Sequence, residues 1–259
     1  MVSVHLLPSS MPAGALRGGV AVVVDVLRAT TSIVQALARG CSAVVPCAEI
    51  DEARRIAEGL PAGTAILGGE RGGKPIQGFD LGNSPGEYSA DACRGKTLVM
   101  TTTNGTRALL ASLEAEVVLA GAFVNLAATV QRLIHERRPI HVVCAGTEGR
   151  ISYEDALLAG ALVSRFADLD HEPANDEAWI ARGLWERVQE NVWSREDHPG
   201  RGGEDPPLVH YLRRGAGGRR VTELGLGADV AFAASINRPD CQIVVELARD
   251  PLRLTVARG

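Results

Sequence analysis

The sequence predicts an α/β fold, a layered sheet with helices on its faces, because one local unit recurs three times. Val20–Val24 is a β-branched run ending in Asp25-Val26-Leu27-Arg28, followed by a helical pattern (Ile33, Ala36, Leu37) that stops at Gly40. Thr97–Met100 leads through the polar turn Thr101–Arg107 into the helix-like Ala108–Leu113. Ile140–Cys144 leads through Ala145–Gly149 into a long helical stretch over Tyr153–Phe166. Each unit reads as buried strand, polar turn and helix.

Further elements follow in order. Ala43–Val45, Ala65–Leu67, Val117–Leu119 and Ile243–Leu247 are apolar runs of strand length, and Asp51–Glu58, Leu126–Glu136 and Asp176–Val192 suit helices. Gly68–Tyr88 holds seven glycines and two prolines. It reads as a loop of about 20 residues, a length that usually has a job. Ser194–Pro207 reads as an exposed connector or lid, and Arg213–Arg220 as a solvated arginine turn. No composition break divides residues 1–259, so a single domain is expected.

Composition excludes several classes of function. The chain has 259 residues, 46% hydrophobic and 22% charged, which is ordinary globular composition. A net charge of −4 and 4% aromatics disfavour a nucleic-acid binder. Five cysteines without CxxC spacing suit reduced thiols, and no apolar run is long enough for a signal core or a membrane span. A cytoplasmic protein without membrane or nucleic-acid partners is therefore expected, with a homo-oligomer left open. Only Lys74 and Lys96 are lysines among 27 basic residues. Anions will therefore meet mostly guanidinium forks, which suit phosphate and sulfonate oxygens.

Two motifs are set aside. Gly68–Lys74 satisfies G-x4-G-K, but Pro75 stands where a P-loop needs Ser or Thr, and Glu70 would repel a triphosphate. Cys144–Arg150 satisfies C-x5-R, the spacing of thiolate phosphatases, but Glu148 puts a negative charge in the cradle and Cys144 ends an apolar run. The thiolate route is kept as the alternative mechanism. Neither G-x-S-x-G nor G-x-G-x-x-G is apparent at a strand-to-helix turn, and the six histidines show no H-x-H or HExxH pairing.

The polar turns carry the remaining chemistry. Turns at the carboxyl ends of strands gather at one edge in such folds and form the ligand crevice. Asp25 and Arg28 leave one strand end together, and Glu70-Arg71 repeats the acid–base pair in the glycine-rich segment. Thr103, Asn104, Gly105, Thr106 and Arg107 open a helix with hydroxyls, an amide and free N–H groups, which suits an anion. Ser152-Tyr153-Glu154-Asp155 sets two carboxylates at a helix start, where they also suit the dipole, and Asp229 follows Gly227. Acids and arginines without histidine or thiolate clusters favour Mg²⁺ over zinc and describe a phosphoryl-transfer site.

Five ordered blocks then resemble the ComB family. They are DVLRATTS (Asp25–Ser32), GGERGGKPIQGFDLGNSP (Gly68–Pro85), TTTNGTRAL (Thr101–Leu109), CAGTEG (Cys144–Gly149) and SYEDALLAG (Ser152–Gly160), with a thinner match at GLGADVAFAASI (Gly225–Ile236). The resemblance implies a ComB-like α/β fold and a Mg²⁺-dependent acid phosphatase. Its substrate would be (R)-2-phospho-3-sulfolactate, converted to 3-sulfolactate and phosphate on the way to coenzyme M. The late block often carries a cysteine in the family; this chain has Ala233 there.

That substrate bears phosphate, sulfonate and carboxylate, and Arg28, Arg71 and Arg107 leave three segments that could meet them. Asp25, Glu70, Glu154, Asp155 and Asp229 form the expected pool of Mg²⁺ ligands. Asn83, Ser84, Thr103, Asn104, Gly105 and Thr106 are expected to bind oxyanions. Asp25, Arg28, Glu70, Arg71 and Glu154 are the expected catalytic set, with an activated water attacking phosphorus in line. Two other outcomes stay open: a phosphatase for another small polyanionic phosphomonoester, and a non-catalytic anion binder.

Overall fold

The computed structural model describes residues 1–169, 171–196 and 207–257. Its strands are β1 (Val2–His5), β2 (Val20–Val24), β3 (Ala43–Cys47), β4 (Ala65–Arg71), β5 (Lys74–Pro75), β6 (Thr97–Thr101), β7 (Val117–Gly121), β8 (Ile140–Cys144), β9 (Val245–Arg249) and β10 (Leu252–Val256). They form one sheet in the order β1-β8-β2-β7-β9-β10-β3-β6-β4-β5. The helices are α1 (Ala29–Ala38), α2 (Ile50–Glu58), α3 (Ala90–Cys93), α4 (Gly105–Ala111), α5 (Leu126–Leu133), α6 (Tyr153–Ala167), α7 (Asp176–Glu196), α8 (Pro207–Leu212), α9 (Ala216–Glu223) and α10 (Gly227–Ala233). The fold is α/β, as the sequence predicts.

Every residue of β2 is buried, because β7 and β8 flank it in parallel and helices cover both faces. Val20, Val22 and Val24 pack with β1, β8 and helices α6 to α8, while Ala21 and Val23 pack with α1 and α4. On the outer side of β3 and β6, Cys47 and Val99 pack against Ala53 of α2. Among the described residues no helix is long and apolar enough to cross a membrane.

The strand directions differ from the expectation. β1, β8, β2 and β7 run parallel, and so do β3, β6 and β4, but the antiparallel hairpin β9–β10 separates the two sets. Both flanking pairings are antiparallel too, so the second set runs opposite to the first. In a flat sheet their carboxyl ends would lie at opposite edges. This sheet is curled. Helix α4 touches both β2 and β3, which stand four places apart in the strand order, roughly 19 Å in a flat sheet. Strand twist accumulated over the intervening hairpin wraps the sheet around α1 and α4, and this wrap brings the two sets of turns together.

The glycine-rich segment also differs. Gly68–Arg71 continues β4 instead of looping, pairing through Gly68 and Gly69 with Met100 and Thr101 of β6. Gly72 and Gly73, at φ 59° and 82°, then turn the chain into β5, a backbone few other residues adopt. A P-loop is thereby absent from this stretch. Strands β1 and β10 and helices α8 to α10 were not expected, their apolar spacing being too short to read. Of the expected 194–207 connector, 194–196 end α7, Pro207 starts α8, and 197–206 lie outside the described residues.

Candidate active site

The wrapped turns enclose a cleft of about 520 Å³, part of it open to solvent, lined by Asp25, Arg28, Glu70, Asn83, Thr103, Asn104 and Arg220 among others. Asp25 lies one residue beyond β2. Its Oδ1 accepts from the Ala29 N–H at 3.2 Å, and its own N–H donates to Thr30 Oγ1 at 2.9 Å. Burial above all, with Glu70 and Glu154 nearby, pushes the Asp25 carboxyl up to about 7 against the opposing Ala29 N–H and Arg28.

Glu70 faces Asp25 from β4. Its Oε1 accepts from the Thr103 N–H at 2.7 Å, and its Oε2 from the Gly73 N–H at 2.6 Å and the Thr103 hydroxyl at 3.1 Å. All of these donors belong to the second strand set, so this carboxylate ties the β4–β5 turn to the turn after β6. Arg71 does not join it. Successive side chains on a strand point to opposite faces, so Arg71 leaves the cleft and donates to Ala48 O at 3.0 Å and Thr101 Oγ1 at 2.8 Å.

Arg28 is buried at the cleft floor. It donates to Asp229 Oδ2 at 2.8 Å and to Gly73 O at 3.1 Å. Ser84 donates to the other oxygen of Asp229, so Asp229 anchors Arg28 rather than facing the cleft. Asp155 is likewise committed, accepting from the Val26 N–H at 2.9 Å and the Gly146 N–H at 3.0 Å. Burial, with Asp25 and Glu154 beside it, still raises its carboxyl.

Glu154 lies beneath α9, its carboxylate pressed against a glycine-rich helix start. A β carbon at Gly217 would fall 1.9 Å from Glu154 Oε1, so only glycine fits there. Its Oε2 is buried without a hydrogen-bond partner, and burial raises its pKa.

The anion residues divide as well. Asn83 lines the cleft with its buried Oδ1 unpartnered. Asn104 also lines it, accepting from the Glu148 N–H at 3.1 Å. Thr106 is fully buried and exchanges hydrogen bonds with Thr102, whose Oγ1 takes the Thr106 N–H at 3.1 Å, consuming a donor the sequence offered to an anion. Gly105 packs against Asp25. Arg107 points to the surface and pairs with Glu49 at 3.1 Å.

Arg220 was missed. It lines the cleft from α9, donating to Glu148 Oε1 at 2.6 Å and Gly72 O at 2.9 Å. The sequence showed it only as part of an arginine-rich turn, and its one signal was a glycine-rich helix start beneath it. Cys144 is buried with its thiol raised well above the usual range by burial and Asp155, while Arg150 is exposed. That geometry is not a thiolate cradle.

A magnesium ion asks for oxygen ligands, and one or two carboxylates suffice beside water and substrate phosphate. Asp25, Glu70 and the unpartnered Asn83 Oδ1 offer such donors in a cleft lined by no histidine or cysteine. Among the described residues no three His, Cys, Asp or Glu side chains form a ready-made cage. The expected pool of five carboxylates therefore narrows to two at the cleft.

The profile of the family described as 2-phosphosulpholactate phosphatase matches residues 5–249. The chain belongs to that family. A relative from Parasynechococcus marenigrum (strain WH8102) is 45% identical over 222 residues, 85% of this chain and 85% of its own. One from Synechococcus sp. (strain CC9605) is 44% identical over 229 residues, covering 86% and 87%. One from Caldanaerobacter subterraneus subsp. tengcongensis is 34% identical over 219 residues, covering 85% and 84%. All three carry the name "Probable 2-phosphosulfolactate phosphatase". The 2-phosphosulfolactate phosphatase name is that of a phosphoric monoester hydrolase, and the matched stretch contains every cleft residue named above.

Proposed function

We propose that the chain hydrolyses (R)-2-phospho-3-sulfolactate to 3-sulfolactate and phosphate with the help of Mg²⁺, a step toward coenzyme M, and that it works in the cytoplasm. The observation that supports it most is one cleft, in a chain of this family, where carboxylates Asp25 and Glu70 meet guanidiniums Arg28 and Arg220. A plain anion binder gains nothing from two carboxylates facing its ligand.

Asp25 and Glu70, with Asn83 Oδ1, would hold the ion together with a substrate phosphate oxygen. When bound, Mg²⁺ supplies Lewis-acid charge stabilisation of the phosphoryl oxygens. The protein supplies the rest. Arg28 has five N–H donors and uses two on Asp229 and Gly73, so N–H groups remain to face an oxyanion. Its buried ion pair fixes the fork before substrate arrives, which is electrostatic preorganisation. Glu70, bonded to Thr103 and Gly73, fixes the β4–β5 turn against the turn after β6 on one side of the cleft. Leu27, Val221 and Leu224 form an apolar wall that limits water around the reacting phosphate.

The test is phosphate release from 2-phosphosulfolactate with Mg²⁺ and with EDTA. Release that stops in EDTA and returns with added Mg²⁺ is expected. Absence of release under both conditions would overturn the reading.

A further inference from the structure

The cleft's two arginines are held differently. Arg28 sits at the floor, 5% exposed, on an Asp229 side chain that is also 5% exposed. Arg220 sits at the mouth with its side chain 40% exposed, paired with a Glu148 side chain 58% exposed. An exposed pair contributes little in water and exchanges readily for another anion, whereas removing a partner from a buried pair is strongly unfavourable. The inner fork is fixed; the outer one is exchangeable.

The two forks also share one scaffold. Arg28 donates to Gly73 O and Arg220 to Gly72 O, the carbonyls of consecutive residues in the β4–β5 turn. Consecutive α carbons are only about 3.8 Å apart, so two cationic groups flank a single turn at the spacing of a small molecule. Helix α9, which carries Arg220, is seated where the Gly215 and Gly217 backbone meets the buried Glu154 carboxylate. Arg220 therefore projects from a docked helix, not from a free turn.

We infer that Arg220 is the specificity-determining residue of the cleft: its guanidinium exchanges Glu148 for the sulfonate of the substrate while Arg28 remains on Asp229 and faces the phosphate. A planar fork offers two parallel N–H donors to two sulfonate oxygens, which suits this role better than a point charge. The inference rests on the proposed phosphatase reading and adds the group that selects the sulfonated substrate. Glu148 is then a placeholder, occupying the fork in the free protein.

The experiment compares wild type, Arg220→Ala, Arg220→Lys and Glu148→Gln. One arm measures kcat/KM for 2-phosphosulfolactate and for 2-phospholactate, which lacks the sulfonate. The other titrates 3-sulfolactate and lactate calorimetrically, which needs no turnover. Arg220→Ala is expected to lower the ratio of the two kcat/KM values at least tenfold and to weaken 3-sulfolactate binding relative to lactate by a similar factor. Arg220→Lys is expected to recover part of both losses, and Glu148→Gln to tighten 3-sulfolactate severalfold. Proportional losses on both substrates and both products with Arg220→Ala would overturn the inference. A wild-type chain that hydrolyses neither substrate would overturn the phosphatase reading instead, and the titrations would still decide the role of Arg220.

Discussion

Gly105 and Asp25 are packed so closely that no β carbon fits between them: one built on Gly105 would lie 2.5 Å from Asp25 Oδ2 and 2.4 Å from the Ala29 Cβ. The start of α4 thus sets the position of the carboxylate that follows β2. Gly105→Ala is expected to leave the protein folded and to lower kcat/KM by up to roughly 100-fold, the scale of a 1 Å misplacement at a reacting centre. Thermal melting together with phosphate release separates this from unfolding.

Asp155 ties the ends of β2 and β8 through the N–H groups of Val26 and Gly146. Asp155→Ala leaves both donors buried and unpaired, at about 1–3 kcal/mol each. A loss of about 2–5 kcal/mol in urea unfolding is expected, whereas Glu154→Gln, which keeps the shape of the side chain beneath α9, is expected to cost less.

Much of the fold was legible because the central strands are continuous apolar runs. Val20–Val24 and Ile140–Cys144 coincide with β2 and β8 to the residue. The reversal imposed by β9–β10 was not legible, since strand pairing across more than a hundred residues leaves no local pattern. At the site, Asp25, Arg28, Glu70, Asn83, Thr103 and Asn104 do line one cleft. Arg71 failed because the pleat turns neighbours apart, and Asp155 and Asp229 failed because they do not line the cleft, being held instead by the Val26 and Gly146 N–H groups and by Arg28 and Ser84. Arg220 was hidden because nothing in an arginine-rich turn says which arginine faces inward.

The Arg28–Asp229 pair should show the asymmetry of a buried ion pair. Asp229→Ala is expected to destabilise the fold by about 3–5 kcal/mol by leaving a buried guanidinium uncompensated. Replacing both partners, Arg28→Met with Asp229→Leu, is expected to cost less in chemical denaturation while abolishing phosphate release.

His141 on β8 stacks on His5 of β1, with Nδ1 3.2 Å from His5 Nε2, and Glu177 of α7 acts on His5. Burial, with His5 beside it, lowers the His141 pKa from 6.5 to about 4. Between those values this site binds more protons in the unfolded chain than in the folded one, so the contribution of His141 to stability rises with pH from about 4 to about 6.5. Asp25, with its carboxyl raised to about 7, contributes with the opposite sign in both proteins, so the expected signature is a difference: the urea midpoint of wild type minus that of His141→Asn rises across this window.

Cys144→Ser tests the thiolate alternative. With Cys144 buried and its thiol raised, the variant is expected to keep most of its phosphate release, with some loss of stability. A folded but inactive variant would restore the thiolate mechanism.

The most direct measurement is calorimetric titration of Mg²⁺, in the presence of inorganic phosphate, into wild type, Asp25→Asn and Glu70→Gln, each first shown to melt cooperatively. Binding to wild type, weakened at least tenfold in each variant, is the expected result. Equal Mg²⁺ affinity in all three proteins, or none in the wild type, would contradict a magnesium ion seated between Asp25 and Glu70.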